Sequence, residues 1–262
     1  MIIGVDIGGT EIKAGSVSNN KIINKKTVRT GKDAVDNLIR CISEVFDKKV
    51  KGIGIGAPGP ADYEKGIIGK TPNLDFKNKN IRKIISNKFK KRVIMQNDAS
   101  CFVLGESIRL KKKNVVGMTL GTGVGGGIVI EGKLYVGNGN AGELGHCTIK
   151  YDGPKDGLSK GSIESYASGK AIKREYGKDA HNLKSKKAWN EIGKKIGIRI
   201  SNLINTFDPD AVVLGGGISK AFSKFKKGMN QEIKKRAIRK VNVVKGSEDS
   251  GMIGAANLFS NI

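Results

Sequence analysis

A two-lobed α/β fold is what the sequence predicts, on three observations. Strand pairs joined by glycine turns occur twice, near residues 2 to 17 and again near 115 to 130. Between and after them run stretches whose apolar residues fall at helical spacing. The 262 residues exceed the needs of one small module and suffice for two modest lobes.

Each element follows from its own residues. From Ile2 to Val17 two apolar runs flank Gly8-Gly9, the pattern of a β-hairpin with a glycine turn. Val35, Leu38, Ile39, Ile42, Val45 and Phe46 predict an amphipathic helix from Asp33 to Lys49, with Asp33 available to cap its start. Val50 to Ala57 alternates Ile and Gly into Pro58-Gly59-Pro60, a strand that ends in a rigid loop, and Arg92 to Met95 is a further short strand. Gln96-Asn97-Asp98 leads into a helix carrying Phe102, Val103, Leu104 and Ile108. The charged stretch Lys111 to Asn114 has no apolar anchor and marks the lobe boundary. Beyond it, Val115 to Leu120 and Ile128 to Ile130 flank a loop of five glycines, and Trp189 to Phe207 is an amphipathic helix. Ala211 to Leu214 is a buried-type strand ending in Gly215-Gly216-Gly217.

Composition narrows the class. Apolar residues make up 38%, and no run nears the roughly 18 consecutive apolar residues of a membrane span, so a soluble globular protein without a membrane partner is expected. Met1-Ile2-Ile3-Gly4-Val5-Asp6 enters a strand-like run at once, which leaves no room for a cleaved leader and predicts a cytoplasmic location. Cys41, Cys101 and Cys147 are odd in number and widely spaced, with no Cys-x-x-Cys pair. That argues against both a disulfide framework and zinc held by cysteines. The 48 Lys and Arg against 24 Asp and Glu give a net charge of +24, but the positive residues are scattered and aromatics make up only 5%. A basic solvated surface is therefore expected rather than a nucleic-acid partner.

Three glycine segments carry the chemistry. Asp6-Ile7-Gly8-Gly9-Thr10-Glu11-Ile12-Lys13 puts a carboxylate at a strand end, then bare backbone amides that an anion can approach, then a hydroxyl and an ammonium. These are the parts of a phosphate cradle with a magnesium anchor, although no Gly-Lys-Ser/Thr follows to make a Walker A loop. Gly121, Gly123 and Gly126 formally satisfy Gly-x-Gly-x-x-Gly, but Ile128-Val129-Ile130 continues as a strand where a dinucleotide fold needs a helix. The segment instead reads as a second hairpin, with Thr122 at its tip, that complements the first in holding a phosphate chain. Gly215-Gly216-Gly217 offers a side-chain-free surface for an adenosine, or a plain turn into a helix.

With these segments the chain resembles the ROK family of sugar kinases and repressors, within the actin-like and hexokinase-like (ribonuclease H-like) ATPase fold. The matching stretches are Asp6-Ile7-Gly8-Gly9-Thr10, Gly54 to Pro60, Thr71 to Leu74, Asn97-Asp98-Ala99, Leu120 to Gly127, Gly142-Glu143-Leu144-Gly145-His146, Glu164 to Gly169, and Asp208-Pro209 through Leu214 to Gly217. They occur in family order and run nearly end to end. The resemblance implies that Asp98 takes the proton from a sugar hydroxyl as it attacks the γ-phosphate of ATP. A local alternative is that Asp98 only caps the helix it opens. By the same resemblance Asn73, Asn97, Glu143, His146 and Glu164 are the sugar ligands. Asp6 would hold Mg²⁺ through water, Gly8, Gly9, Thr10 and Lys13 the phosphates, Gly121, Thr122 and Gly123 the opposite side of the phosphate chain, and Gly215, Gly216 and Gly217 the adenosine.

The chain also departs from the family pattern. Many members bind zinc through the motif histidine and three cysteines placed before the glutamate, and here those cysteine positions are Lys155, Gly157 and Ser162. No zinc site is expected, and the loop from Tyr151 to Ser162 must be held by other contacts. Ser100 stands where the family often has Asn, and the segment between Gly169 and Trp189 is short.

The expected organisation is a lobe of residues 1 to 113 with a returning C-terminal helix within 249 to 262, and a larger lobe of residues 114 to 248, with the substrate in the cleft between them. The expected activity is an ATP- and Mg²⁺-dependent hexokinase, glucose first, with N-acetylmannosamine, N-acetylglucosamine, fructose or mannose as other acceptors. The resemblance favours a homodimer. Polyphosphate as donor suits the basic surface, and a non-enzymatic sugar sensor is the reading from a different class. The winged helix-turn-helix of the family's repressors is not expected ahead of the first strand.

Overall fold

The computed structural model describes residues 1–69, 76, 78–156 and 159–261. In chain order the elements are β1 (Ile2–Ile7), β2 (Glu11–Ser18), β3 (Lys21–Arg29), α1 (Ala34–Ser43), β4 (Gly52–Ala57), β5 (Ala61–Asp62), β6 (Ile67–Ile68), α2 (Ile81–Phe89), β7 (Arg92–Asn97) and α3 (Asp98–Leu110). There follow β8 (Val115–Leu120), β9 (Val124–Ile130), β10 (Lys133–Leu134), β11 (Lys155–Asp156), β12 (Ser159–Lys160), α4 (Glu164–Ala167), α5 (Gly169–Tyr176), α6 (Lys186–Phe207), β13 (Ala211–Gly215), α7 (Phe222–Arg236), β14 (Asn242–Lys245) and α8 (Ser250–Asn257). Two compact units result. One holds Met1–Lys111, Gly132–Leu134 and Asp249–Ile262, and the other holds Lys112–Glu131 and Tyr135–Glu248.

The first unit is built on a sheet of order β3-β2-β1-β4-β7. β1, β4 and β7 run parallel, β2 returns antiparallel to β1, and β3, antiparallel to β2, runs again in the direction of β1. The Ile–Gly alternation of β4 has a packing reason. Ile53 and Ile55 are fully buried in the core, whereas a Cβ at Gly54 would collide with Ala255 O and one at Gly4 of β1 with Met252 O. The absence of those two side chains lets α8 lie directly on the strands.

Two local expectations need correction. Asp33 makes no side-chain cap, and α1 stops at Ser43 rather than Lys49. The chain then turns tightly, with Val45 N bonded to Ile42 O and Phe46 N to Ser43 O. Val45 is buried and Phe46 stacks on Phe89 at 5.1 Å from that turn, so their helical spacing is met without a helix.

The second unit has parallel pairings of β13 with both β8 and β14, and an antiparallel β8–β9 hairpin. Its core gathers around α6 and α7. Trp189 is buried with its indole Nε1 donating to Leu183 O at 2.8 Å, and Phe225 lies 6.2 Å from it. The expected loop of five glycines is also corrected: the turn is only Gly121–Gly123, and Gly125–Gly127 belong to β9, paired with Thr119, Met118 and Gly117. Among the described residues no helix is long and apolar enough to cross a membrane.

Candidate active site

In the first unit the parallel strands β1, β4 and β7 bring their carboxyl ends together. The register aligns Asp6 with Gly56, and Ala57 with Asn97. Carboxyl ends of parallel strands are where α/β sheets present ligand-binding groups. Asp6 also pairs across the hairpin with Lys13. Burial and then the nearby Asp98 carboxylate push the Asp6 carboxyl up to about 7, against the opposing pull of Lys13. Gly251 of α8 is part of that burial, since a Cβ there would stand 2.7 Å from Asp6 Oδ2.

The same two carboxylates bound the fully buried Cys101 one turn into α3. Its thiol is raised well above the usual range, first by burial and then by Asp6 and Asp98. Two neighbouring carboxylates fit a hydrated Mg²⁺, which binds through one or two carboxylates plus phosphate rather than an all-protein cage. Among the described residues no three His, Cys, Asp or Glu side chains cluster as such a cage.

The helix cap is Asn97 and not Asp98. The Asn97 side chain accepts from Ser100 N at 3.1 Å, while its Nδ2 donates to Tyr63 Oη at 3.1 Å and Tyr63 Oη in turn donates to Ala57 O at 3.2 Å. Asp98 is the first residue of α3, half-buried, with Oδ1 accepting from Ala99 N at 2.8 Å. The hairpin turn ahead of it is braced, with Gly8 N bonded to Glu11 O at 2.9 Å and Thr30 Oγ1 donating to Gly8 O at 2.9 Å, which leaves Gly9 and Thr10 exposed. Asn73 lies outside the described residues.

In the second unit the β8–β9 tip and Gly215–Gly217 stand at the carboxyl ends of the paired strands β8 and β13, where Gly215 aligns with Thr119. Gly216 adopts φ +80°, and a Cβ on it would strike the backbone of Leu120. Gly216, Gly217 and Thr122 are exposed. Gly121 N bonds Gly123 O at 2.9 Å and Gly169 N bonds Gly121 O at 2.7 Å, while Val124 N donates to Glu164 Oε2 at 2.7 Å.

Glu143 precedes and His146 ends a single 3-10 turn, Leu144–His146, and the buried Arg199 donates to Leu144 O at 3.2 Å. The His146 ring lies between Ser159 Oγ, 3.2 Å from Nδ1, and Glu143 Oε2, 3.6 Å from Nε2. The loop that lacks the family's cysteines is tied by hydrogen bonds instead. Thr148 Oγ1 donates to Lys160 O at 3.1 Å, Ile149 N to Gly161 O at 2.8 Å, and Ile163 N to Cys147 O at 3.1 Å. β11 pairs with β12, and that hairpin brings Ser159 to the histidine.

The structure therefore gathers Asp6, Lys13 and Asp98 in one unit. In the other it gathers the glycine tip, Glu164 and Gly215–Gly217, and separately Glu143 with His146. Sequence reasoning missed Tyr63, Ser159 and the Val124 N–H. Tyr63 and Ser159 sit in none of the quoted motifs, and a backbone N–H leaves no trace in residue identity.

The ROK family profile matches residues 2–262. A glucokinase from Thermotoga maritima is 32% identical, with 98% of this chain and 96% of that protein covered. An N-acetyl-D-glucosamine kinase from Mannheimia succiniciproducens is 33% identical, with 99% of each covered. The solved structure of a ROK family glucokinase from Streptomyces griseus in complex with glucose and AMPPNP superimposes with a TM-score of 0.82 at 29% identity, covering 98% of each chain.

Proposed function

From membership of the ROK family, to which this chain belongs, we propose that the protein is an ATP-dependent sugar kinase that transfers the γ-phosphate to a hexose hydroxyl, with glucose as the first acceptor. The observation that carries this reading is the pair Asp6 and Asp98 at the carboxyl ends of one parallel strand set, close enough for Asp98 to raise the Asp6 carboxyl.

Asp98 accepts the proton of the sugar hydroxyl while that oxygen forms its bond to the γ-phosphorus. The bond to the bridging oxygen breaks and ADP leaves with its electron pair. Asp6 is the residue that would hold a hydrated Mg²⁺, and that ion would supply charge neutralisation to the phosphates. Thr10 and Lys13 bind phosphate oxygens from one hairpin, and Thr122 and Gly123 from the other. Gly216 and Gly217 present bare backbone to the adenosine.

Asn97, Glu143, His146 and Glu164 receive the sugar hydroxyls, and Asn73 completes the set. Amide, imidazole and carboxylate together supply the donors and acceptors that a polyol needs. Asn97 supports its own assignment, because the Tyr63 bond and the cap to Ser100 fix its amide.

The test is a coupled assay of glucose, N-acetylglucosamine, N-acetylmannosamine, fructose and mannose against ATP and against polyphosphate. Hexose-dependent ADP formation is expected, fastest with glucose. Turnover with polyphosphate alone would move the donor assignment. No turnover with any pair, from folded protein, would contradict the enzyme reading in favour of a sugar sensor.

A further inference from the structure

We propose that Glu164 positions the phosphate-donor hairpin in addition to meeting the sugar, so that its carboxylate contributes to nucleotide affinity even when no sugar is bound. The inference rests on the kinase reading above and uses only residues of the second unit.

The tip of the β8–β9 hairpin is three residues, two of them glycines, and free glycine segments populate many backbone conformations. Two anchors select one of them. Gly169, the first residue of α5, donates its N–H to Gly121 O at 2.7 Å. Glu164, the first residue of α4, accepts the Val124 N–H at 2.7 Å through Oε2. The tip is thus gripped on both flanks by one short segment, with Gly121 N closing it internally on Gly123 O at 2.9 Å.

The fit at Gly123 is close: a Cβ there would stand 2.6 Å from Glu164 Oε2, so any larger residue displaces the carboxylate. A backbone N–H held by a carboxylate is roughly twice as strong as a neutral hydrogen bond. Ordering the tip in advance removes entropy that an incoming phosphate chain would otherwise have to overcome. Glu164 is half-buried, with its carboxylate on the hairpin backbone.

The experiment is calorimetric titration of Mg²⁺–ADP, without sugar, into wild type, Glu164→Gln and Glu164→Ala. Gln keeps a side-chain oxygen that can accept the Val124 N–H, and Ala does not. Glu164→Ala is expected to weaken ADP binding about tenfold, the scale of one charge-assisted hydrogen bond. Glu164→Gln should stay within about threefold of wild type. If Ala does not fold, as judged by thermal melting, Glu164→Asp replaces it. Asp keeps the charge but is one methylene too short to reach Val124, and the same tenfold loss is expected.

Unchanged ADP affinity in the shortened variants overturns the inference, because a residue that serves only the sugar leaves nucleotide binding alone. Equal losses in Gln and Ala overturn it as well, since the accepting oxygen would then be irrelevant. If wild type binds no ADP, the kinase reading fails first and takes this inference with it.

Discussion

The two units hold glycine hairpins of the same layout and work them in different ways. The β1–β2 hairpin carries its chemistry on its own side chains: Asp6 and Lys13 sit opposite each other, and Asp98 stands nearby at the end of β7. The β8–β9 hairpin carries no charge at its tip and takes a carboxylate from Glu164, forty residues further along the chain. One hairpin is chemically complete as a motif, and the other is complete only after folding. Charge placement and backbone placement can therefore be tested separately, with the first acting on turnover and the second on binding.

The largest effect is expected at Asp98. Asp98→Asn removes the proposed proton acceptor but keeps size and shape, so kcat should fall about 10³-fold with sugar and nucleotide affinities little changed.

Asp6→Asn should lower kcat about 10²-fold through loss of the proposed Mg²⁺ anchor, and it carries a pH signature. The Asp6 carboxyl is pushed up to about 7 in the folded protein from an ordinary value of 3.8. Between those values the folded state holds a proton that the unfolded state has released, so stability falls as pH rises through that window. By pH 8 the loss amounts to on the order of 2–4 kcal/mol. Without Mg²⁺ and nucleotide, Asp6→Asn should therefore melt above wild type at pH 8, and the two should converge near pH 4. Parallel melting curves at both pH values would remove the buried-carboxylate account.

A charge effect of the opposite sign is expected at Glu106 in the same unit. Its fully buried carboxylate accepts from Arg109 Nε at 3.1 Å and Nη2 at 2.6 Å, and from Ser250 Oγ at 2.5 Å, joining α3 to α8. Glu106→Ala leaves those donors without the acceptor and should cost about 3 kcal/mol of stability, read by denaturant melts.

The smallest effect belongs to the second unit. Ser159→Ala frees the His146 ring on one side and should raise the sugar KM about threefold at nearly constant kcat, with Ser159→Thr restoring it. A fall in kcat without a change in KM would remove Ser159 from sugar positioning.

Much of this was legible in residue order, and the exceptions have physical causes. The two hairpins, the buried β4 and β13, and the long helix over Trp189 announce themselves through apolar runs and spacing. β3 does not, because it is an edge strand whose sequence Lys21–Arg29 is almost wholly exposed and polar. The five glycines near residue 125 read as a loop, yet three of them lie in β9. There Gly126 accommodates the turn carrying Glu143, since a Cβ on it would press on Gly142 and Leu144. Asn97 and Asp98 were visible as a pair, but which one caps α3 depends on side-chain rotation that spacing does not encode. Asn73 lies outside the described residues, so four of the five proposed sugar ligands are placed.

The most direct measurement follows ³¹P NMR signals of MgATP and glucose with wild type and with Asp98→Asn at equal protein concentration. A sugar phosphomonoester and ADP should grow together with wild type and be nearly absent with the variant, while calorimetry shows both ligands still bound. Equal phosphomonoester formation by the variant would contradict Asp98 as the base. Failure of wild type to form the ester from any hexose would contradict the kinase account itself.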